Sequence, residues 1–285
     1  MFKLITWNIQ SGRSPDGATD LDRIIACLER FARHDIICMQ EVSCGYDADG
    51  EDQFAALRAR LPGHAAVEAY ACDTAGPGAP DAPRRRTGCM IFSRHPVREA
   101  FRHSLPWPPD PGVASLPRTA LEVTVAAPGG LLRVMTAQLE YFSCVQRLAQ
   151  VERLRELQRE AWLHARLGRA SGAGPFAAAA RAAPALLAGD FNMLPGSLEH
   201  QRLLAPFDDD TPPWRDCWGL AQPGRRHAPT VGLHDLHPDA APPFTFDYVF
   251  ASADLAGKVR RMRIDASEQG SDHQALLVEL DWNAP

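Results

Sequence analysis

Strand-like apolar runs in this chain repeatedly end in acids, amides or a histidine. Asn8 closes the run Phe2–Ile9, Glu41 follows Asp35–Met39, and Gln138 sits near the end of Leu131–Leu139. Asp190 and Asn192 follow Ala185–Ala188, Asp247 lies in Phe244–Ala251, and Asp272-His273 precedes Ala275–Leu280. Carboxylates beside amides suit a hard divalent cation, because magnesium and manganese prefer oxygen ligands. A histidine next to an aspartate suits a general base, since its intrinsic pKa lies near neutrality. Taken together, the set points to metal-assisted attack of water on a phosphate ester.

The densest of these stretches is Ala188-Gly189-Asp190-Phe191-Asn192. The glycine allows a tight turn after a buried strand. Asp190 and Asn192, two residues apart, point to one face in extended chain. A lone Asp-x-Asn is also a common turn signal, and a lone Ser-Asp-His often caps a helix or sits in a solvated turn. The recurrence of the pattern across strands separated by long stretches of chain gives it weight.

The remaining chain must position these ends. Asp20 is a helix N-cap, followed by Leu21, Ile24, Ile25, Leu28 and Phe31 on one helical face. Phe54, Leu57 and Leu61 mark a short helix, and Cys72–Arg86 reads as an exposed loop rich in Pro, Gly and Ala. Strands are expected at Gly88–Ser93, from Pro96 to Phe101 and at Val259–Ile264, with a proline-laden loop at Pro106–Pro117. Arg118–Ala126 and Leu131–Leu139 flank Pro128-Gly129-Gly130 as a hairpin. Val145, Leu148, Val151, Leu154 and Leu157 define a long amphipathic helix reaching about Gly168; Arg169–Pro184 is a connector and Pro206–Pro243 loops with a short helix. Strands outnumber helices, and hairpins sit beside longer crossovers, which predicts packed sheets flanked by helices. No internal repeat and no linker divides the sequence, so one domain over residues 1–285 is expected.

Composition is that of a globular protein: 45% hydrophobic and 23% charged over 285 residues, with a net charge of −5. No global positive field draws such a chain to nucleic acid or anionic membrane. The seven cysteines are odd in number, scattered and without Cys-x-x-Cys spacing, which argues for a reducing compartment and against disulfides or structural zinc. No apolar run has the form of a signal peptide or a bilayer span, so the expected location is cytoplasmic. His227, His234, Asp235 and His237 form a second candidate metal cluster, although the surrounding Pro and Gly favour a surface loop. Arg84-Arg85-Arg86 is either a phosphate contact or a solvated run. Trp107, Trp214 and Trp218 are candidates for stacking, with packing the simpler reading.

The order of motifs resembles the endonuclease/exonuclease/phosphatase superfamily, whose fold is DNase I-like. The matching pieces are Thr6-Trp7-Asn8-Ile9, Gln40-Glu41-Val42, Gly189-Asp190-Phe191-Asn192, Phe246-Asp247-Tyr248-Val249-Phe250 and Ser271-Asp272-His273. Ser93–Val97, Arg147-x-x-Gln150 and Thr230 are lesser matches. The resemblance implies an α/β (α+β) fold, a four-layer sandwich of two packed mixed β-sheets with helices outside and the site at one rim. It implies Mg2+ or Mn2+ held by Glu41, with Asn8 and Asp272 nearby. By the same resemblance His273, oriented by Asp247, is the base that takes a proton from the attacking water, and Asp190 and Asn192 position water and phosphate. No serine or cysteine nucleophile is implied.

One position departs from the pattern. Many relatives have Thr-x-His-Leu where this chain has Thr136-Ala137-Gln138-Leu139. Glutamine still donates a hydrogen bond but brings no positive charge. Members of the superfamily cleave DNA, RNA, protein–DNA links, inositol phosphates and sphingomyelin. The Leu-Glu strand end and the Arg-x-x-Gln helix look nearest to the DNase I-like and tyrosyl-DNA phosphodiesterase-like branches. The expectation is a monomeric hydrolase acting on a phosphate ester, nucleic acid foremost. The alternatives are a small-molecule or lipid phosphoesterase of the inositol phosphate or sphingomyelinase type, which the acidic charge favours, and a weakened member that mainly binds phosphate ligands.

Overall fold

The computed structural model describes residues 1–31, 33–46, 51–78, 82–168, 170–177, 181–235 and 241–282. Its strands, in chain order, are β1 Phe2–Asn8, β2 Ile36–Cys44, β3 Ala65–Thr74, β4 Arg85–Ser93, β5 Val97–Ser104 and β6 Thr119–Ala127. They continue as β7 Gly130–Gln138, β8 Ala185–Asp190, β9 Trp214–Asp216, β10 Asp247–Ser252, β11 Val259–Ile264 and β12 Leu276–Leu280. The helices are α1 Leu21–Phe31, α2 Gln53–Arg60, α3 Cys144–Leu167, α4 Leu198–Leu204, α5 Cys217–Ala221 and α6 Ala253–Ala256. Asp20 caps its helix as the sequence suggests, accepting from Arg23 N, and Asp52 and Ser143 likewise accept from Ala55 N and Gln146 N. Gly168, with φ +68°, closes α3.

Two six-stranded sheets result, ordered β11-β12-β1-β2-β4-β3 and β5-β6-β7-β8-β10-β9. Each has a parallel pair at its centre, β1 with β2 and β7 with β8, and the neighbours that define each sheet's flanks are antiparallel. The two sheets therefore repeat one topology, a relation no sequence repeat announces. In each sheet the central pair sends its C-terminal ends to the same edge.

Strand parity decides what those ends present. Phe2 and Leu4 of β1 face the other sheet, whereas Ile5 and Trp7 face α1 and α2. Two-residue periodicity then turns Thr6 and Asn8 inward. In β7, Leu132 and Val134 face inward while Met135, Ala137 and Leu139 pack under α3, so Thr136 and Gln138 also face inward. In β8, Leu186 and Ala188 lead to Asp190 on the same face, and in β10 Asp247 precedes Val249 and Ala251. The apolar part of each inner face builds the core between the sheets, and its last position is polar. Gln40 ties the sheets just below this edge, donating from Nε2 to Thr136 Oγ1 at 2.8 Å.

Several boundaries differ from the sequence expectation. β3 was not expected; it pairs with β4 from Ala65 opposite Ser93 to Thr74 opposite Arg85, so the loop read from Cys72 begins only after Thr74. α4 was likewise not anticipated. β2 does not stop at Glu41 but runs on to Cys44. The Arg84–Arg86 triplet is a tied surface strip: Arg84 and Arg86 reach Asp73 at 2.5 and 3.4 Å, and Arg85 lies over Tyr46. Trp214 is buried, and Trp107 bonds Ser115 Oγ. All seven cysteines are free, and burial pushes the thiols of Cys27 and Cys89 up to about 12, which leaves them unreactive. Among the described residues no helix is long and apolar enough to cross a membrane.

Gly189 is where fold and site meet most tightly. Its φ is +150°, and a Cβ there would lie 2.0 Å from the carbonyl oxygen of Ala137 on the paired strand. Gly189→Ala is expected to push β8 from β7, lower stability by about 1–3 kcal/mol and displace Asp190. Urea unfolding measures the first effect, and an unchanged midpoint would contradict the close approach.

Candidate active site

A cleft of about 720 Å³ opens at the edge where the two parallel pairs end, and Glu41, Gln138, Asp190, Asn192, Asp272 and His273 line it. Glu41 reaches it by an unusual route. Strand parity would send residue 41 outward after inward Gln40, but the β2–β4 register slips between Met39 and Val42, and Glu41 takes φ +55°. This bulge re-aims the carboxylate into the cleft. The other described non-glycine residues with positive φ are Gln10, Ser11 and Asn192, and all of them belong to this edge. Backbone strain is thus gathered at one place, as functional sites gather it.

Two neutral amides bracket two carboxylates. Asn8 Nδ2 donates to Glu41 Oε1 at 2.9 Å and to Asp190 Oδ2 at 3.0 Å. Gln138 Nε2 donates to the same two oxygens, at 2.5 and 3.2 Å. Arg118 Nη1 in turn donates to Gln138 Oε1 at 2.7 Å. The positive charge that Gln138 lacks is therefore one bond behind it. Asp190 Oδ1 accepts from Asn192 N at 3.0 Å, and Asn192 Nδ2 donates to Leu139 O at 2.9 Å, which fixes the turn after β8. Gln10 Nε2 holds Asp272 Oδ2 at 2.8 Å.

The histidine is equally well anchored. His273 Nδ1 lies 2.9 Å from Asp247 Oδ2, and Thr230 Oγ1 donates to that oxygen at 2.7 Å. Trp7 Nε1 donates to the His273 carbonyl at 2.9 Å, and Ser271 Oγ donates to Asn8 O at 2.8 Å. The segment before β12 is thereby stitched to the end of β1.

Four carboxylates crowd this edge, and the charges show it. Burial foremost, with Asp247 and Glu41 adding repulsion against the pull of His273, pushes Asp190 up to about 7. Burial also raises Asp272. Burial alone would lower His273, but the Asp247 charge and hydrogen bond, with Asp190 and Asp272 behind them, outweigh it and hold it at about 10. Acidic oxygens in surplus, bracketed by amides that bring no charge, fit a hard divalent cation. Ligand atoms of Asp190, Asp247 and His273 also lie within 4.8 Å of one another, the one such His/Cys/Asp/Glu group among the described residues. His273 Nδ1 is already engaged by Asp247 Oδ2 at 2.9 Å, however, which makes those two a hydrogen-bonded pair. The donor set centred on Glu41 and Asp272 is the better fit. Asn8, as placed, turns its amide nitrogen to the carboxylates and its oxygen to Gln10 N, so it braces them.

The chain matches the Endonuclease/Exonuclease/phosphatase family over residues 5–273. It belongs to that family. The match includes every residue of the cleft named above. No curated protein matches the chain by sequence. Solved structures do match in fold. A mannosyl-6-phosphatase from Bacteroides thetaiotaomicron is 18% identical, with a TM-score of 0.65, over 98% of this chain and 99% of its own. The 3′ phosphatase NExo from Neisseria, bound to a product DNA hairpin, is 19% identical with a TM-score of 0.61 over 99% and 100%. A D. rerio TDP2 humanised by 14 mutations is 17% identical with a TM-score of 0.59 over 97% of each chain. At such identities the likeness carries the fold.

Within this family frame, Asn8, Glu41, Gln138, Asp190, Asn192, Asp247, Asp272 and His273 all converge on one edge. Among the described residues the second candidate cluster does not form: His227 packs on Trp218 at 4.7 Å and burial lowers its pKa, and His234 bonds the Ala266 carbonyl, while His237 lies outside the described residues. Arg147 and Gln150 serve the loop after β7, through the Glu140 and Tyr141 carbonyls and the Glu140 N–H respectively. Sequence reasoning missed Gln10 and Arg118. The hairpin register, Ala120 opposite Ala137, was the available signal for Arg118, since it sets the start of β6 beside the end of β7.

Proposed function

We propose that the chain is a divalent-cation-dependent phosphoesterase that hydrolyses its substrate by direct attack of water, with a nuclease or nucleic-acid phosphodiesterase as the leading class. The observation that carries this reading is the convergence of Glu41, Asp190 and Asp272 with the buried Asp247–His273 pair at one open cleft. Glu41 and Asp272 would hold Mg2+ or Mn2+, with Asn8 and Gln138 fixing the Glu41 carboxylate. When bound, the ion supplies Lewis-acid polarisation of a phosphoryl oxygen and offsets part of the carboxylate field.

The chain's own residues do the rest. His273 takes the proton of the attacking water, with Asp247 holding the ring and Thr230 holding Asp247. Asp190 and Asn192 orient water and phosphate from across the cleft. Gln138, held by Arg118, keeps the Glu41 and Asp190 carboxylates in place. No step needs a covalent enzyme intermediate.

Two neighbours act on DNA-linked or sugar phosphates by their names, which keeps both substrate classes open. A small-molecule phosphomonoesterase is the second reading, favoured by the net charge of −5. A panel of plasmid DNA, single-stranded DNA, RNA, 5′-tyrosyl DNA, inositol phosphates and sphingomyelin separates them. The leading reading predicts turnover of at least one nucleic-acid substrate, and turnover confined to the small phosphates would replace it with the second.

A further inference from the structure

The rim of the cleft carries aromatic rings that the hydrolytic chemistry does not use. Tyr141 and Phe142 follow β7 closely and leave 51% and 65% of their surface in solvent. Single exposed aromatics are ordinary, but these two head a chain of ring contacts. Phe142 meets Tyr141 edge-to-face at 4.7 Å, Tyr141 meets Phe246 at 6.0 Å, and Phe246 meets Phe244 at 4.6 Å. Tyr141, Phe246 and Asn192 line both the catalytic cleft and an adjoining groove of about 380 Å³. The groove is thus continuous with the site of phosphate chemistry.

The exposed rings stand on a rigid seat. Buried Glu140 accepts from Phe142 N at 3.0 Å through one oxygen and from Arg118 Nε at 3.2 Å through the other. Its own N–H donates to Gln150 Oε1 at 2.8 Å. Arg147 Nη1 donates to the carbonyls of Glu140 and Tyr141, both at 2.9 Å, while Glu199 holds its Nε at 2.8 Å. Rings fixed before a ligand arrives lose little conformational freedom when a flat group stacks on them. Arg118 bonds Gln138 as well as Glu140, so the seat and the catalytic edge share one guanidinium.

We propose that this groove receives the group esterified to the phosphate, and that the group carries a planar aromatic ring that packs against Tyr141 and Phe142, stacked on one ring and edge-on to the other. The ring is a nucleobase or a phenyl group; both offer the same π face, and stacking tolerates either. The inference rests on the phosphoesterase reading. Tyr141 and Phe142 are specificity residues; Phe142 lines the groove alone, so its replacement changes which phosphate binds without removing a wall of the catalytic cleft.

The test is calorimetric titration of the full chain, with Mg2+, against adenosine 5′-monophosphate, O-phosphotyrosine, ribose 5-phosphate and inorganic phosphate. At least one ring-bearing compound is expected to bind about tenfold or more tighter than ribose 5-phosphate, and which one it is identifies the ring. In Phe142→Ala, which touches the groove alone, that ratio should fall towards one while ribose 5-phosphate affinity holds, and in Tyr141→Ala, which also removes part of the cleft wall, the ratio should fall as well; both side chains are exposed, so the variants should melt like the wild type. Equal wild-type affinity with and without a ring overturns the proposal, and so does a ring preference that survives both substitutions. Failure of all four phosphates to bind overturns the proposal, and the phosphoesterase reading falls only if hydrolysis of bis-p-nitrophenyl phosphate with Mg2+ is absent as well.

Discussion

Glu41→Ala is expected to lower kcat/KM on an activated phosphodiester by on the order of 10³-fold, since a bound cation supplies several kcal/mol of transition-state stabilisation and each 1.4 kcal/mol is a factor of ten. The fold should tolerate the change. Glu41 is half-buried on a bulge, and Asn8 and Gln138 keep Asp190 as an acceptor when it is gone. Losing one of two facing carboxylates also relieves their repulsion. The second readout is thermal: Mg2+ or Mn2+ should raise the Tm of the wild type by mass action, and Glu41→Ala should lose that increment. A variant that stays active and still gains stability from the cation would move the metal elsewhere, the Asp190–Asp247–His273 group being the next place to look.

His273→Ala should cost about 10²- to 10⁴-fold in kcat/KM, the usual worth of a positioned general base. The more telling variant is Asp247→Asn, because the Asp247 charge and hydrogen bond are the leading influences that hold His273 up against burial. A base must be neutral to act, so activity should rise with pH as His273 sheds its proton. Removing the Asp247 charge should shift that limb to lower pH and also lower the plateau, because the ring loses its orienting partner. The pH–rate profile of kcat/KM reads both. A limb that stays in place in Asp247→Asn but disappears in an Asp190→Asn variant would assign the proton to Asp190 instead. The stability signs run in parallel. In the cation-free protein Asp190, raised from 3.8 to about 7, favours the fold fully below 3.8 and loses that contribution as pH rises through 7. His273, raised from 6.5 to about 10, favours it below 6.5 and loses that contribution as pH rises through 10. Both act in one direction, so their combined contribution shrinks as pH rises and protection by Mg2+ should grow.

How far the sequence reveals this site depends on how local each feature is. Asn8, Asp190 and Asp247 were legible because strand parity is a local rule: an apolar inner face ending in a polar residue reads the same in the sequence and in the sheet. Gly189 reads in the sequence as a turn glycine, but in the sheet it lies within β8, where its role is to stand against the Ala137 carbonyl. The re-aiming of Glu41 was not legible. Met39-Gln40-Glu41-Val42 holds no glycine, and its positive φ is imposed by the slip against β4. Arg118 was hidden because its bonds to Gln138 and Glu140 exist only once the hairpin pairs. β3 is rich in alanine and ends in polar Cys72-Asp73-Thr74, so its alternation is faint, and pairing with β4 defines it. The family resemblance placed residues in order along the chain; the topology places the parallel pairs β1–β2 and β7–β8 edge to edge, which turns that order into a site.

The most direct test of the central claim is hydrolysis of bis-p-nitrophenyl phosphate by the purified chain before and after chelation. Release of p-nitrophenol with Mg2+ or Mn2+ is expected, with loss of that activity in EDTA, recovery on adding back the ion, and no recovery in Glu41→Ala. Hydrolysis that survives EDTA and persists in Glu41→Ala would contradict the claim.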